Sequence, residues 1–197
     1  MVGFILFPIC KGLNTQAQDS CRCVKLTLGA GFGHYFNTFT NVLDEDVKVN
    51  RPSFSARLVW QPEHRLRLGV ESGLTYMYST TRIQVDGNSE KLTADLKVIP
   101  IFLSISMAVV KRLELNFGTG WASMIYTVRL NKSDKNKVTG HSFSMSNFSA
   151  GCSYYIPLSS RIDLGAEIRY LYIGKTDDYH VSGLINFSYK LKCWEVH

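Results

Sequence analysis

Two residues near the carboxyl end of the chain have the types and spacing of a hydrolytic pair. His180 and Ser182 lie two positions apart in YHVSGLINFSYKL, and in a β-strand that spacing puts both side chains on one face. A histidine can remove the proton of an attacking serine hydroxyl when a carboxylate orients its ring. Position 192 is a lysine, and the first carboxylate after the pair belongs to Glu195. Because a histidine and a serine alone on a strand are usually structural, we expect no catalytic residues and no enzymatic activity.

Charged loop segments are the second set of candidates for chemistry. RLNKSDKNK carries four basic residues around one aspartate and is a candidate site for phosphates. These basic residues are Arg129, Lys132, Lys135 and Lys137. A solvated loop explains the same pattern without a ligand. LDEDVK places Asp44, Glu45 and Asp46 in a row, but consecutive carboxylates are commonly only solvated, so we expect no metal and no cofactor.

Both sets of candidates belong to a chain with strict period-two alternation. In RIDLGAEIRYLYI, apolar side chains alternate with charged residues and glycine, which predicts a strand with one apolar and one charged face. The same alternation recurs along the chain and predicts an all-β protein of eight strands. The predicted strands are 24–36, 53–60, 66–78, 96–109, 113–126, 143–156, 162–173 and 179–191. The longest apolar run, Val98 to Val110, contains Pro100 and is shorter than the roughly 20 residues of a membrane helix.

Length and composition indicate one ordered domain. The chain has 197 residues, and its 22 basic against 16 acidic residues are too mild an excess to imply a nucleic-acid partner. The amino terminus has an apolar run, Val2 to Cys10, followed by small residues at Thr15 and Ala17. This pattern predicts that residues 1–17 are an export signal and that residues 18–197 form a single barrel domain.

The connections between the predicted strands alternate between long and short. The long polar ones are 37–51, 79–95 and 127–142, and the short ones are 61–65, 111–112 and 157–161. Short turns at one rim and long loops at the other are typical of a β-barrel that crosses a bacterial outer membrane.

The distribution of glycines and aromatic residues predicts which face lies inside. Glycines share the charged face, as a narrow barrel requires if long side chains are to fit within it. The predicted lumen charges are Arg57, Arg67, Glu71, Glu114, Asp163, Glu167 and Arg169, with Lys25 and Lys190. The apolar face carries aromatic residues at two levels, which predicts two girdles at the lipid interfaces. The girdle residues are Phe36, Tyr76, Tyr78, Tyr170, Tyr172 and Tyr179 at the long-loop rim, and Trp60, Tyr154 and Tyr189 at the other.

A soluble barrel of the lipocalin kind is the alternative that uses the same alternation. Its apolar faces would point inward and enclose a small hydrophobic ligand. That arrangement explains neither the glycines on the charged face nor the asymmetric connections, so we favour the membrane barrel with a polar, plugged lumen and no wide pore.

With its eight strands placed, the chain resembles the small outer-membrane β-barrels of Gram-negative bacteria, of the OmpA transmembrane-domain and OmpX type. The last strand, with Gly183, Ile185, Phe187, Tyr189 and Leu191 in alternation, is similar to the signal read by the barrel-assembly machinery. The tail KCWEVH departs from that family, whose chains usually end on the aromatic residue.

The resemblance implies an eight-stranded antiparallel up-and-down transmembrane barrel in the cell envelope, porin-like in architecture and monomeric. It implies contact with outer-membrane lipid and lipopolysaccharide, and a structural or surface-binding role toward an extracellular ligand. The enzyme alternative is a barrel that modifies lipid A, since His180 and Ser182 are similar to part of a lipid A deacylase site.

Three cysteines flank the predicted barrel strands. An even strand number requires the first strand to pair antiparallel with the last, so Cys21 and Cys23 should lie near Cys193. Cys23 and Cys193, or Cys21 in place of Cys23, are candidates for a disulfide; the alternative is that all three cysteines are reduced or lie disordered in short tails. Cys152 is predicted to be inert on the lipid face.

Overall fold

A computed structural model describes residues 22–36, 47–62, 65–86, 88–110, 112–130 and 137–194 of the chain. The predicted export signal, Cys21, the carboxylates at 44–46 and the candidate anion ligands Lys132 and Lys135 lie outside the described residues. No helix within the described part is long and apolar enough to span a membrane.

The described residues form antiparallel β-strands. Their bounds are β1 Arg22–Phe36, β2 Val47–Lys48, β3 Asn50–Gln61, β4 Leu66–Asp86, β5 Asn88–Val110, β6 Leu113–Leu130, β7 Lys137–Pro157, β8 Ile162–Ile173 and β9 Asp178–Trp194. Eight of them form a closed ring in chain order, in which β1 pairs with both β3 and β9, and the short β2 adds to β4. The predicted eight-stranded up-and-down barrel is therefore confirmed.

The pairing register fixes the size of the barrel. Starting at Phe36, successive cross-strand partners are Tyr179, Tyr172, Phe148, Thr119, Leu103, Val70, Leu58 and Leu26. One turn around the ring thus returns to β1 ten residues below its starting point, which is a shear number of 10. With eight strands, this stagger corresponds to a strand tilt of about 40° and to an interior just wide enough for side chains.

Several strands are longer than the alternation predicted. β4 continues to Asp86 and β5 begins at Asn88, so the predicted loop 79–95 is mostly a continuation of these two strands. β6 likewise ends at Leu130 and β7 begins at Lys137. The predicted long loops at these places are wrong in extent, because hairpins beyond the membrane carry polar residues on both faces and lose the period-two signal.

Candidate functional site

Four charged side chains form a closed ionic ring across the middle of the barrel. Arg57 donates to Glu71 at 2.8 Å and to Glu167 at 3.0 Å. Arg169 contacts the same two carboxylates, Glu71 at 2.8 Å and Glu167 at 2.9 Å. Each arginine therefore bridges both glutamates. All four residues are at most 8% exposed, and buried charges of this kind persist only when they are paired and hydrogen-bonded.

Neighbouring strands explain how this ionic ring is assembled. Arg57 on β3 lies directly opposite Glu71 on β4, whereas Glu167 comes from β8 across the lumen and also accepts a hydrogen bond from Asn186 at 2.6 Å. β1 runs between β3 and β9 and presents Gly29 at this level. A Cβ atom at Gly29 would collide with Asn186 and the Ser55 hydroxyl, so the glycine provides the space that the long charged side chains occupy.

Two further ion pairs lie below the ionic ring, toward the short-turn rim. Lys25 and Asp163 are 3.8 Å apart, and Arg67 contacts Glu114. Together with the ionic ring they give four cations against four carboxylates, so these eight predicted lumen charges face inward and balance. Lys190, also predicted for the lumen, lies at the short-turn rim and donates to the Ser160 carbonyl at 3.0 Å. The cavity among them measures about 10 Å³, which is room for about one water.

The outer part of the lumen holds an apolar cluster beside buried polar side chains such as Asn147, His180 and Ser182, so apolar packing interrupts the expected polar interior. We call this cluster the apolar plug, and its side chains are each at most 4% exposed. The plug consists of Tyr35, Met77, Leu96, Val98, Phe102, Ala122, Met124, Leu171 and Ile173. Asp178 lies beside the plug and accepts a hydrogen bond from the Tyr35 hydroxyl at 2.7 Å. The apolar residues on both faces of β5 make this packing possible.

A β-bulge changes the position of one predicted girdle residue. The pairing of β4 with β5 shifts between Tyr76 and Tyr78, so Met77 is the extra residue. After the bulge, Tyr78 lies opposite the buried Leu96 and packs against the plug, with its ring 5.1 Å from that of Tyr35. The assignment of Tyr78 to the lipid face was wrong, because a bulge reverses the alternation on which it depended.

The outer surface of the barrel is a continuous apolar belt. Phe32, Leu103 and Ile168 are each about 70% exposed, and aromatic residues lie at both ends of the belt. The upper girdle is packed: the rings of Phe36 and Tyr179 are stacked at 5.2 Å. Trp60 and Tyr154 are exposed at the lower end. An exposed apolar band between two aromatic levels is a lipid-facing surface. The soluble carrier is excluded, because its apolar face would be buried.

Phe148 belongs to the upper girdle and was not among the predicted girdle residues. Phe148 is 45% exposed and its ring lies 4.9 Å from that of Tyr172. Its position on the apolar face of β7 was the available signal. Tyr76 also lies at this level, with the ammonium of Lys97 4.8 Å from its ring centroid.

The remaining candidate residues occupy separate places. His180 and Ser182 point into the lumen and are 1% and 3% exposed. Arg129 lies opposite Lys137 at the outer end of the β6–β7 hairpin. Within the described ranges, no cluster of His, Cys, Asp or Glu is suited to a metal ion.

The cysteines near the ends of the barrel are joined. Cys23 on β1 is the direct cross-strand partner of Cys193 on β9, and the two form a disulfide. Cys152 is a free, exposed cysteine on the outer face of β7.

A four-stranded sheet extends beyond the upper girdle. β4 and β5 remain paired as far as Asp86 and Asn88, and β6 and β7 as far as Arg129 and Lys137. β7 pairs with β8 only from Asn147 onward, so its first ten residues, 137–146, have β6 as their strand partner on one side. We call the part of β4 to β7 beyond the girdle the protruding sheet.

Comparisons with known structures agree with this architecture. The attachment invasion locus protein Ail of Yersinia pestis superposes with a TM-score of 0.54 at 11% identity, covering 88% of this chain and 99% of Ail. Ail in complex with the heparin analogue sucrose octasulfate gives 0.52 at 12% identity, covering 86% and 99%. Neisserial surface protein A gives 0.45 at 15% identity, covering 87% and 99%. No protein-family model and no curated protein matches the sequence.

The superposition on Ail shows the fold, and the exposed apolar belt shows that lipid surrounds the barrel. Ail shares the closed ring over nearly its whole length. The chain therefore has the fold of the small eight-stranded outer-membrane β-barrels, with lipid outside and charges within.

Proposed function

We propose that the protein is an integral outer-membrane barrel with a closed interior that binds ligands at the cell surface through its protruding sheet. The observation that carries this proposal is the continuation of β4–β5 and β6–β7 beyond the upper girdle, and the apolar plug in the lumen supports it. Extended hairpins held by a rigid barrel are suited to presenting a binding surface.

The closed interior supports a role outside the barrel rather than transport through it. The apolar plug fills the outer part of the lumen. The balanced ion pairs below it leave a cavity of about 10 Å³, whereas solute diffusion requires the wider barrels of about 16 strands.

The ligand best suited to the protruding sheet is a polyanion. Arg129 and Lys137 face each other across the β6–β7 hairpin, and the segment between them adds Lys132 and Lys135 against one acid, Asp134. The Ail structure determined with a heparin analogue shows that a barrel of this fold accommodates a sulfated ligand. Lipopolysaccharide phosphates and sulfated glycans share the chemistry that such a basic tip binds.

We further infer that the protein is a monomer without a catalytic role and that its last strand is recognised by the barrel-assembly machinery. His180 and Ser182 are buried inside the barrel, where an ester in the surrounding lipid does not reach them. β9 presents Ile185, Phe187 and Leu191 outward, each at least 44% exposed.

Retention on immobilised heparin tests the proposed binding surface. The full chain, refolded in a zwitterionic detergent, is eluted with a salt gradient beside two variants with equal charge loss. R129Q/K137Q should elute at clearly lower salt, because it removes two cations from the hairpin tip. K48Q/K175Q, which changes two exposed lysines at the base of the protruding sheet rather than at the β6–β7 tip, should elute as the wild type does. Equal retention of wild type and R129Q/K137Q would contradict the proposed surface.

A further inference from the structure

The short-turn rim of the barrel carries a ring of basic side chains, here named the basic collar. Its members are Arg22, Arg65, Arg112, Arg161, Lys190 and Lys192. We propose that the basic collar binds the phosphates of anionic phospholipids in the periplasm-facing leaflet. This inference rests on the proposed placement in the outer membrane and concerns the end of the barrel opposite the protruding sheet.

The collar cations are available to a ligand. Five of the six residues are exposed, whereas Lys190 is half-buried and donates one hydrogen bond to the Ser160 carbonyl at 3.0 Å. Among the described residues, none of the six takes part in an ion pair. Glu114 and Asp163, each two residues along the chain from a collar arginine, pair with Arg67 and Lys25 instead. The rim therefore presents positive charge without compensation in the described part of the chain.

The distribution of the collar around the ring indicates the shape of its partner. Arg65 follows the β3–β4 turn, Arg112 precedes β6, and Arg161 lies in the β7–β8 turn. The remaining three lie on the paired ends of β1 and β9. A single docked protein would contact one side of the rim, whereas these charges surround it. Lipid headgroups surround a barrel in the same way, and they carry the phosphates that arginine and lysine bind.

The depth of the collar also fits lipid headgroups. Lys190 directly follows the lower girdle residue Tyr189 along β9, and the ammonium of Lys192 lies 5.3 Å from the ring centroid of Trp194. Aromatic girdles mark the boundary of the hydrocarbon layer, and long basic side chains just beyond them reach the phosphates while their stems cover apolar surface. The cell-wall polymer is the other anionic partner of a periplasmic rim, but it does not lie at this depth.

Quenching of tryptophan fluorescence by brominated lipids tests the proposal. The chain contains three tryptophans. Trp60 and Trp194 lie near the collar, and Trp121 lies on the outer face of β6 on the protruding-sheet side of Leu115 and Phe117. In the full-length variant W121F, reconstituted into phosphatidylcholine vesicles, brominated phosphatidylglycerol should show an association constant about two- to fivefold higher than brominated phosphatidylcholine. High salt should remove the preference. A W60F/W194F variant, which keeps Trp121, should show equal constants.

Charge variants assign the preference to the collar. R65Q/R112Q/R161Q in the W121F background should abolish the preference, whereas K48Q/K97Q/K175Q, an equal charge loss beyond the collar, should retain it. Equal association constants for the two lipids in W121F would overturn the proposal, and so would a preference that survives R65Q/R112Q/R161Q. Collar-dependent retention on purified peptidoglycan without a lipid preference would overturn it in favour of the cell wall. Absence of quenching by either lipid would instead show that the barrel had not inserted, which contradicts the proposed function itself.

Discussion

Replacement of Glu71 by leucine removes one corner of the ionic ring. In the wild type, Glu71 contacts Arg57 and Arg169, each at 2.8 Å, and is 3% exposed. Without it, two buried guanidinium groups share the single carboxylate of Glu167. Removing one partner of a buried charge network leaves an uncompensated charge, and we expect E71L to lower the free energy of unfolding by about 3 to 5 kcal/mol.

A second variant separates the cost of the unpaired charge from the cost of the substitution. E71L/R169L leaves the contact between Arg57 and Glu167 at 3.0 Å, and the remaining pair is neutral. We therefore expect the double variant to be more stable than E71L alone, as a double-mutant cycle with strong coupling requires.

Urea unfolding in phosphatidylcholine vesicles, followed by tryptophan fluorescence, measures both effects. An E71L midpoint equal to that of the wild type would refute the assignment of Glu71 to a dry interior. If the loss of stability in E71L/R169L equals the sum of the losses in E71L and R169L, the four residues of the ionic ring do not act as a unit.

Three other predictions follow from the same geometry. L103R places a charge in the middle of the apolar belt, where Leu103 is 71% exposed, and should lower the free energy of unfolding by about 2 to 4 kcal/mol. L68R, opposite Trp60 at the lower girdle, should lower it by only about 0 to 1 kcal/mol. Equal urea midpoints for the two variants would contradict this assignment of depth. C23S/C193S should unfold at lower urea than the wild type, with a free energy of unfolding lower by about 2 to 4 kcal/mol, because the Cys23–Cys193 disulfide closes a loop with a sequence separation of 170. Added reductant should bring the wild type to the midpoint of the variant and leave the variant unchanged. In planar bilayers the wild type should show no steady ohmic channel, because the apolar plug fills the outer lumen; reproducible unitary conductance would count against a closed interior.

The alternation of side chains was sufficient to predict the eight strands and the inward charges. Arg57 and Glu71 could be assigned to the lumen because glycines share their face, and a narrow interior needs small residues beside long ones. The approach of Cys23 to Cys193 could be expected because a closed ring pairs its first and last strands.

Other features depend on interactions that alternation does not record. The bulge at Met77 inserts one residue against β5 and turns Tyr78 inward, and no local composition marks it. The outer halves of β4 and β5 are strands because they pair with each other rather than because one face is apolar. The apolar plug assembles single residues from several strands, so it becomes visible only when the register is known.

The disulfide also changes the topology of the molecule. The polypeptide chain itself connects each pair of neighbouring barrel strands except β1 and β9, which are the two ends. Cys23 and Cys193 join these ends, so the barrel wall becomes a covalent circle, like a cyclised polypeptide. Such a circle cannot part laterally at the end near the cysteines to let a lipid or a strand pass between β1 and β9. Opening of the wall between β1 and β9 at that end therefore requires reduction of the disulfide first.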